Sequence, residues 1–387
     1  MSVLLAQYLT TLGLSPLEIG AIVTATLLGS AALTLAFGLT AHRTSLAGLL
    51  VAASVVMALT GIGFATVTAF VPLLLVALVG TLNPSAGDVS VFLPTEQALL
   101  AEEVDPVERP ALYARYNVGG TLAGALGALA SGGPEAVANR FDWDVATALR
   151  LAFLVYVAVA AVIFVLYRRL PRVAPSVPPS AADGRRSPLG SSKRTVLGLA
   201  ALFSLDSAGS GFVVTSLLVL WLHLRFDLSA GVTGTVFFAS GLLGGCSQLL
   251  APRLARRYGL VRTMAFTHVP ASALLALTPF APSGGVAIAL LLVRALFAQM
   301  DVPARQAFVM AVVPPEHRAA ASSVTNVPRS LASATTPLLA GALLSRSHFG
   351  WPLVIAGLTK LSYDLLLLAR HRHTPTDEAR STTSSPA

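Results

Sequence analysis

Eleven long apolar runs follow one another along this chain, and no other feature restricts its fold as tightly. They lie near Ile19–Ala41, Leu46–Ala65, Thr68–Leu82 with a continuation to about Leu100, Tyr113–Ala130, Val145–Tyr167, Val196–Leu224, Val232–Leu250, Thr263–Phe280, Val286–Val313, Ala320–Leu344 and Trp351–Ala369. A helix needs about 20 mostly apolar residues to cross the hydrocarbon of a bilayer, and lipid tolerates only backbones that satisfy their own hydrogen bonds. The predicted fold is an all-α polytopic membrane protein. Before these runs stands Ser2–Gly13, an apolar piece of 12 residues. As a helix it would rise about 18 Å, against a hydrocarbon core of about 30 Å. No charged segment or small-residue cleavage site marks it as a signal peptide, so it reads as the second half of a first span that begins upstream of Met1. Twelve spans result, the first incomplete.

Composition agrees. Charged residues make up 11% of the 387 and hydrophobic residues 55%, with a mean hydropathy of +0.74. Soluble domains carry charge on roughly a quarter of their residues. The net charge of +8 therefore belongs to topology rather than to a nucleic-acid partner. Cys246 is the single cysteine, which leaves no internal disulfide and no cysteine cluster for a metal. No His-Glu-x-x-His, Gly-x-Ser-x-Gly or Gly-x-x-x-x-Gly-Lys-Ser/Thr pattern occurs, so nothing points to an enzyme, a cofactor or direct use of ATP. His42, His223, His268, His317, His348, His371 and His373 fall near span ends or in the tail, without metal-ligand spacing.

Residues 168–194 form a Pro/Ser-rich polar linker with seven basic residues, a flexible connection. If it is cytoplasmic, alternation places 17 Lys and Arg on its side of the membrane and 4 on the other, as the positive-inside rule requires. Both termini then face the cytoplasm, and the lipid partner is the inner or plasma membrane. Trp221 and Trp351, near span ends, read as interfacial anchors. The expected organisation is a bundle over 1–167, the linker 168–194, a second bundle over 195–370 and a disordered tail over 371–387.

The two halves repeat. A shift of 214 pairs Leu14-Ser15 with Leu228-Ser229 and places Arg43 on Arg257; a shift of 209 pairs Gln97-Ala98 with Gln306-Ala307, Pro106 with Pro315 and Asn117-Val118 with Asn326-Val327. Such order supports a 6+6 duplication, a transporter architecture that holds its solute between the halves near the midplane.

Gly38-Leu39-Thr40-Ala41-His42-Arg43 and Pro252-Arg253-Leu254-Ala255-Arg256-Arg257-Tyr258-Gly259 resemble the loop after the second span of the major facilitator superfamily and its second-half counterpart, both without the acid. Arg294-Ala295-Leu296-Phe297-Ala298-Gln299 resembles the Arg-centred motif of that family's fourth span, although it lies in the tenth; Gly124, Gly127, Gly132 and Gly133 echo the antiporter signature. The resemblance covers essentially the whole chain. It implies a monomeric secondary transporter that moves a small organic solute by alternating access, most simply proton-coupled efflux of drug-like or metabolite molecules. Nutrient or sugar uptake is the alternative, and few aromatic residues for stacking a sugar disfavour it. A non-transporting sensor is the reading from another class, and the chain offers no sizeable soluble domain for one.

The chemistry concentrates at two matched interruptions. Asn83-Pro84-Ser85-Ala86-Gly87-Asp88-Val89 breaks the fourth span, and Gln299-Met300-Asp301-Val302-Pro303 breaks the tenth; broken spans expose backbone groups to a solute. Asp206, ten residues into the seventh span among Ser204, Ser207, Ala208, Gly209 and Ser210, is the third intramembrane acid. Such charges cost about 3 kcal/mol or more at the bilayer centre and mark function. We assign solute or proton binding to Asp206, Asp301, Asp88, Arg294 and Gln299. Arg294, two turns before Asp301, reads first as a fixed counter-charge for an acid in another span, with bidentate capture of an anionic solute as its other role. Lys360 and Asp364, spaced i, i+4, most simply neutralise each other. The repeat makes Glu96 the equivalent of Arg305, an opposite-charge pair for an inner gate that includes Arg43 and Arg257; local pairs Glu96–Arg43 and Arg305–Asp301 are the alternative.

Overall fold

A computed structural model describes residues 1–40, 44–82, 92, 95–96, 99–100, 109–170, 193–312 and 318–371. Among the described residues the regular structure is helical. Its α-helices are α1 (Ser2–Thr11), α2 (Pro16–Thr40), α3 (Leu46–Thr66), α4 (Phe70–Val79), α5 (Arg109–Leu129), α6 (Gly133–Phe141), α7 (Val145–Arg168), α8 (Lys193–Phe212), α9 (Thr215–Phe226), α10 (Ala230–Gln248), α11 (Ala251–Tyr258), α12 (Leu260–Leu277), α13 (Gly284–Ala295), α14 (Asp301–Val312), α15 (Arg318–Arg346) and α16 (Trp351–His371).

Local chemistry sets several starts. Ser15 and Glu18 form a reciprocal box at α2: the Ser15 amide donates to the Glu18 carboxylate at 2.8 Å and the Glu18 amide to the Ser15 hydroxyl at 3.4 Å, which satisfies two orphan donors. Ser45 caps α3 and Asp144 caps α7 in the same spirit. Gly259, at φ +84°, supplies the left-handed turn that α12 follows.

Seven helical segments among the described residues are long and apolar enough to cross a membrane: Pro16–Phe37, Leu46–Thr66, Val145–Arg168, Lys193–Phe226, Ala230–Gln248, Leu260–Phe280 and Trp351–His371. Phe70–Val79 and Gly284–Ala295 are shorter apolar helices. Large apolar side chains face outward from them, Leu59, Val71, Val162, Phe266 and Leu365 each being more than 60% exposed. Such surface is stable only where hydrocarbon is the solvent.

The helices group into two compact units. One takes Met1–Ser180, Val213–Phe238 and Ala334–His348; the other takes Ala181–Phe212, Ala239–Ser333 and Phe349–Ala387. The first unit packs α3 on α7 and α2 on α4. Tyr8 of α1 donates to the Phe64 carbonyl at 2.7 Å, and Phe64 stacks on Phe153 of α7 at 5.3 Å. The second unit builds its core from α8, α12, α14 and α16, through Leu199, Phe203, Met264, Phe308, Tyr363 and Leu367.

The seventh span, Lys193–Phe226, steps from α8 to α9 between Phe212 and Thr215. The fourth-span helix ends at Val79, and the expected break over Asn83–Val89 lies outside the described residues. One expectation changes. Trp221, expected at an interface, is fully buried with its ring edge-on to Phe226 at 5.5 Å; nearness to a span end in sequence does not reveal which helix face a residue occupies. Trp351 is 47% exposed.

Candidate functional site

The second unit holds a connected set of charged side chains inside its helix bundle. Asp206 of α8, 3% exposed, is its centre. One carboxylate oxygen accepts from Lys360 Nζ of α16 at 2.7 Å, and the other accepts from Arg305 Nη1 of α14 at 3.0 Å. His268 of α12 lies with Nε2 3.6 Å from Asp206 Oδ1, while its Nδ1 is 2.9 and 3.0 Å from the two oxygens of Asp364. Asp301 Oδ2 is 3.7 Å from Arg305 Nη1. Lys360 also donates to the Ser210 hydroxyl at 2.7 Å, and Arg329 of α15 donates through Nε to Ser207 at 3.0 Å.

Small residues make the set possible. A Cβ on Gly209 would stand 2.9 Å from Lys360 Cγ and 3.1 Å from the Ala356 carbonyl, so the glycine is what lets α16 lie against α8. Gly357 likewise admits the Ser272 carbonyl and Ala276 of α12. Small residues at such contacts are the usual device for close helix approach in membranes. Aromatic walls complete the enclosure: the Arg305 guanidinium lies 5.9 Å from the centre of the Phe203 ring, and Tyr363 meets His268 edge-on at 5.9 Å.

The geometry revises several expectations. Asp206 is not a lone carboxyl, since two cations hold it. Lys360 turns away from Asp364 to reach Asp206, because Gly209 opens α8 to its stem and His268 engages Asp364 from α12. His268 is not near a span end; it lies mid-helix, two residues before Pro270 inside α12. That in-helix proline, beside a histidine in an apolar run, was the available signal. The two-turn relation of Arg294 to Asp301 also fails, because α13 stops at Ala295 and α14 starts at Asp301. The interruption of the tenth span therefore lies over Leu296–Met300, overlapping its expected place at Gln299 and Met300, while Asp301–Pro303 open the next helix.

Arg294 has its Nε buried without a hydrogen-bond partner among the described residues. Gln299 is exposed in the turn, and a Cβ on Gly244 would stand 3.1 Å from its Cγ. Glu96 accepts from the hydroxyls of Tyr116 and Tyr167 within the first unit. Arg257 is exposed on α11 and lies over the Tyr258 ring at 5.3 Å. Asp88 and Arg43 lie outside the described residues. Among the described residues no group of three or more His, Cys, Asp or Glu is arranged to hold a metal ion.

Known proteins resemble this chain in sequence and in fold. The family model described as Major Facilitator Superfamily matches residues 1–298 and 270–386. An uncharacterised membrane protein of Saccharomyces cerevisiae, YJR124C, is 27% identical over 344 residues, covering 80% of this chain and 76% of its own. The crystal structure of a D-xylose–proton symporter superposes with a TM-score of 0.71 at 16% identity, over 98% of this chain and 95% of that one. The crystal structure of the nucleoside transporter NupG gives 0.66 at 14% identity, over 95% and 94%.

Proposed function

The chain belongs to the major facilitator superfamily, and from that premise we propose that it moves a small organic solute across the inner or plasma membrane by alternating access, coupled to protons. One observation carries the reading. A buried carboxylate, Asp206, is clasped by Lys360 and Arg305 and approached by His268. Breaking a buried pair by removing one partner costs about 3–5 kcal/mol, so a well-packed bundle keeps such a set only where its charges are used or fully satisfied.

The set offers a proton two landing places. His268 bridges Asp364 and Asp206, and an imidazole donates through both nitrogens only when protonated. Asp206 can itself accept the proton once Lys360 or Arg305 withdraws. Asp301 shares Arg305 with Asp206 and couples the tenth-span break to the same charges. Protonation then exchanges one pattern of ion pairs for another, and this is the differential interaction that shifts a two-state carrier. We take export of a drug-like or metabolite solute as the working direction, because the aromatic-poor spans disfavour stacking of a sugar ring. A D-xylose–proton symporter among the solved relatives keeps nutrient uptake as the second reading. Two six-span halves, cytoplasmic termini and a monomeric unit complete the proposal.

Reconstitution tests it. Proteoliposomes carrying a pH-sensitive dye are challenged with a library of small organic solutes, beside Asp206→Asn and Asp301→Asn. Solute-induced proton movement that is lost in the variants supports the reading. Solute flux without proton movement removes coupling, and no flux of any solute removes transport.

A further inference from the structure

Arg294 stands apart from the other buried charges. Asp206 is taken by Lys360 and Arg305, Asp301 shares Arg305, and Asp364 is taken by His268. Each described acid of this interior therefore already has a cation or an imidazole. Arg294 makes no ion pair or hydrogen bond with them or with any other described residue; it feels Asp206 only through the longer-range attraction of that charge, and its Nε is closed off from solvent.

Depth excludes the bilayer surface as its partner. Arg294 is ten residues beyond Gly284, the first residue of α13, a rise of about 15 Å. That is about half the hydrocarbon thickness, too far in for a lipid headgroup. A guanidinium at that depth is costly unless it meets an anion or water. The side chain is only half-buried, so one side of it is open to approach. Immediately beyond it the helix stops, and Leu296–Met300 form the turn before α14. A broken span places backbone groups beside the cation, as solute sites in transporters do. The planar fork of arginine suits two-point capture of an oxyanion.

We propose that Arg294 is the recognition point for the transported solute, and that the solute is an organic anion whose carboxylate or phosphate group docks on its guanidinium. The proposal rests on the transporter reading above and adds to it the charge of the cargo. Lys360 and Arg305 hold Asp206 directly, and Arg294 adds only a longer-range attraction to that carboxylate, which leaves its guanidinium hydrogen bonds for the solute. Gln299, exposed in the same turn, is within the neighbourhood to contact the rest of the solute.

Binding is measured apart from transport, by thermal unfolding of the purified full-length protein in detergent. The probes are matched pairs that differ in charge: benzoate and benzamide, phenyl phosphate and phenol, glucose 6-phosphate and glucose, succinate and succinamide. At saturation, at least one anion is expected to raise the melting midpoint by about 3 °C, with no effect from its neutral partner. Arg294→Gln should unfold at or above the wild-type temperature and lose the anion effect; Arg294→Lys should keep a weaker one. If Arg294→Gln fails to fold, the loss of bidentate capture in Arg294→Lys serves as the readout, and an undiminished anion effect there overturns the proposal. Equal stabilisation by both members of every pair, no stabilisation by any anion, or an anion effect that persists in Arg294→Gln also overturns it. Anion binding without flux in proteoliposomes would leave this inference standing and remove the transport reading instead.

Discussion

Lys360 donates to Asp206 across the α8–α16 contact at 2.7 Å, and not to Asp364 one turn along its own helix. The i, i+4 rule describes what an isolated helix surface does. Here a neighbouring helix supplies a better acceptor, because Gly209 brings its backbone within reach of the lysine stem.

Asp206→Asn should destabilise the protein by about 3–5 kcal/mol, since it leaves two cations in a low-dielectric interior with one neutral acceptor. Combining it with Lys360→Met should cost less than the sum of the two single changes. A double-mutant cycle on melting midpoints or detergent half-lives checks the coupling. Additive losses would refute it.

Gly209→Ala should cost about 1–3 kcal/mol by overpacking the helix contact. The new methyl would press on Lys360 Cγ, which can yield, and on the Ala356 carbonyl, which cannot without moving α16. Gly119 faces open space, so Gly119→Ala is the control and should be neutral or slightly stabilising. Equal melting midpoints for the two variants would contradict the packing account.

His268→Gln and Asp364→Asn should each diminish solute-driven proton movement in proteoliposomes, and the double variant should be no worse than the more severe single one. Both substitutions break the same link between α12 and α16, and groups that act as a unit are non-additive. Proton movement at wild-type level in both variants would leave the histidine a structural role.

Arg305 has two claims on it, the buried carboxylates and the opposite-charge gate with Glu96. Arg305→Glu would set a third negative charge beside Asp206 and Asp301, so pairing it with Glu96→Arg should not restore transport, whereas Arg305→Lys should retain part of it. Full recovery in the charge swap, measured as solute flux, would assign the arginine to the gate.

Much of the architecture was legible before any coordinates. Runs such as Leu46–Ala65 and Val145–Tyr167 coincide with α3 and α7 because a bilayer-long apolar stretch has one stable conformation in lipid. The interruption of the tenth span was legible through Gln299–Pro303, where a polar pair and a proline leave no uniform helix. The partners of its charges were not. Lys360 and Asp364 were paired as near neighbours in sequence and His268 was given no partner, while the contacts of all three join residues separated by 96 to 154 positions.

The sequence by itself determined that this chain is helical, that it lies in a membrane and where most helices begin and end, since length, hydropathy and capping are properties of contiguous residues. Only the tertiary structure decided that Asp206 is doubly held, that His268 bridges two carboxylates and that Arg294 has no hydrogen-bond partner among the described residues. The physical reason is that a buried charge chooses its partner by distance in a low dielectric, and that distance is set by which helices small residues allow to touch.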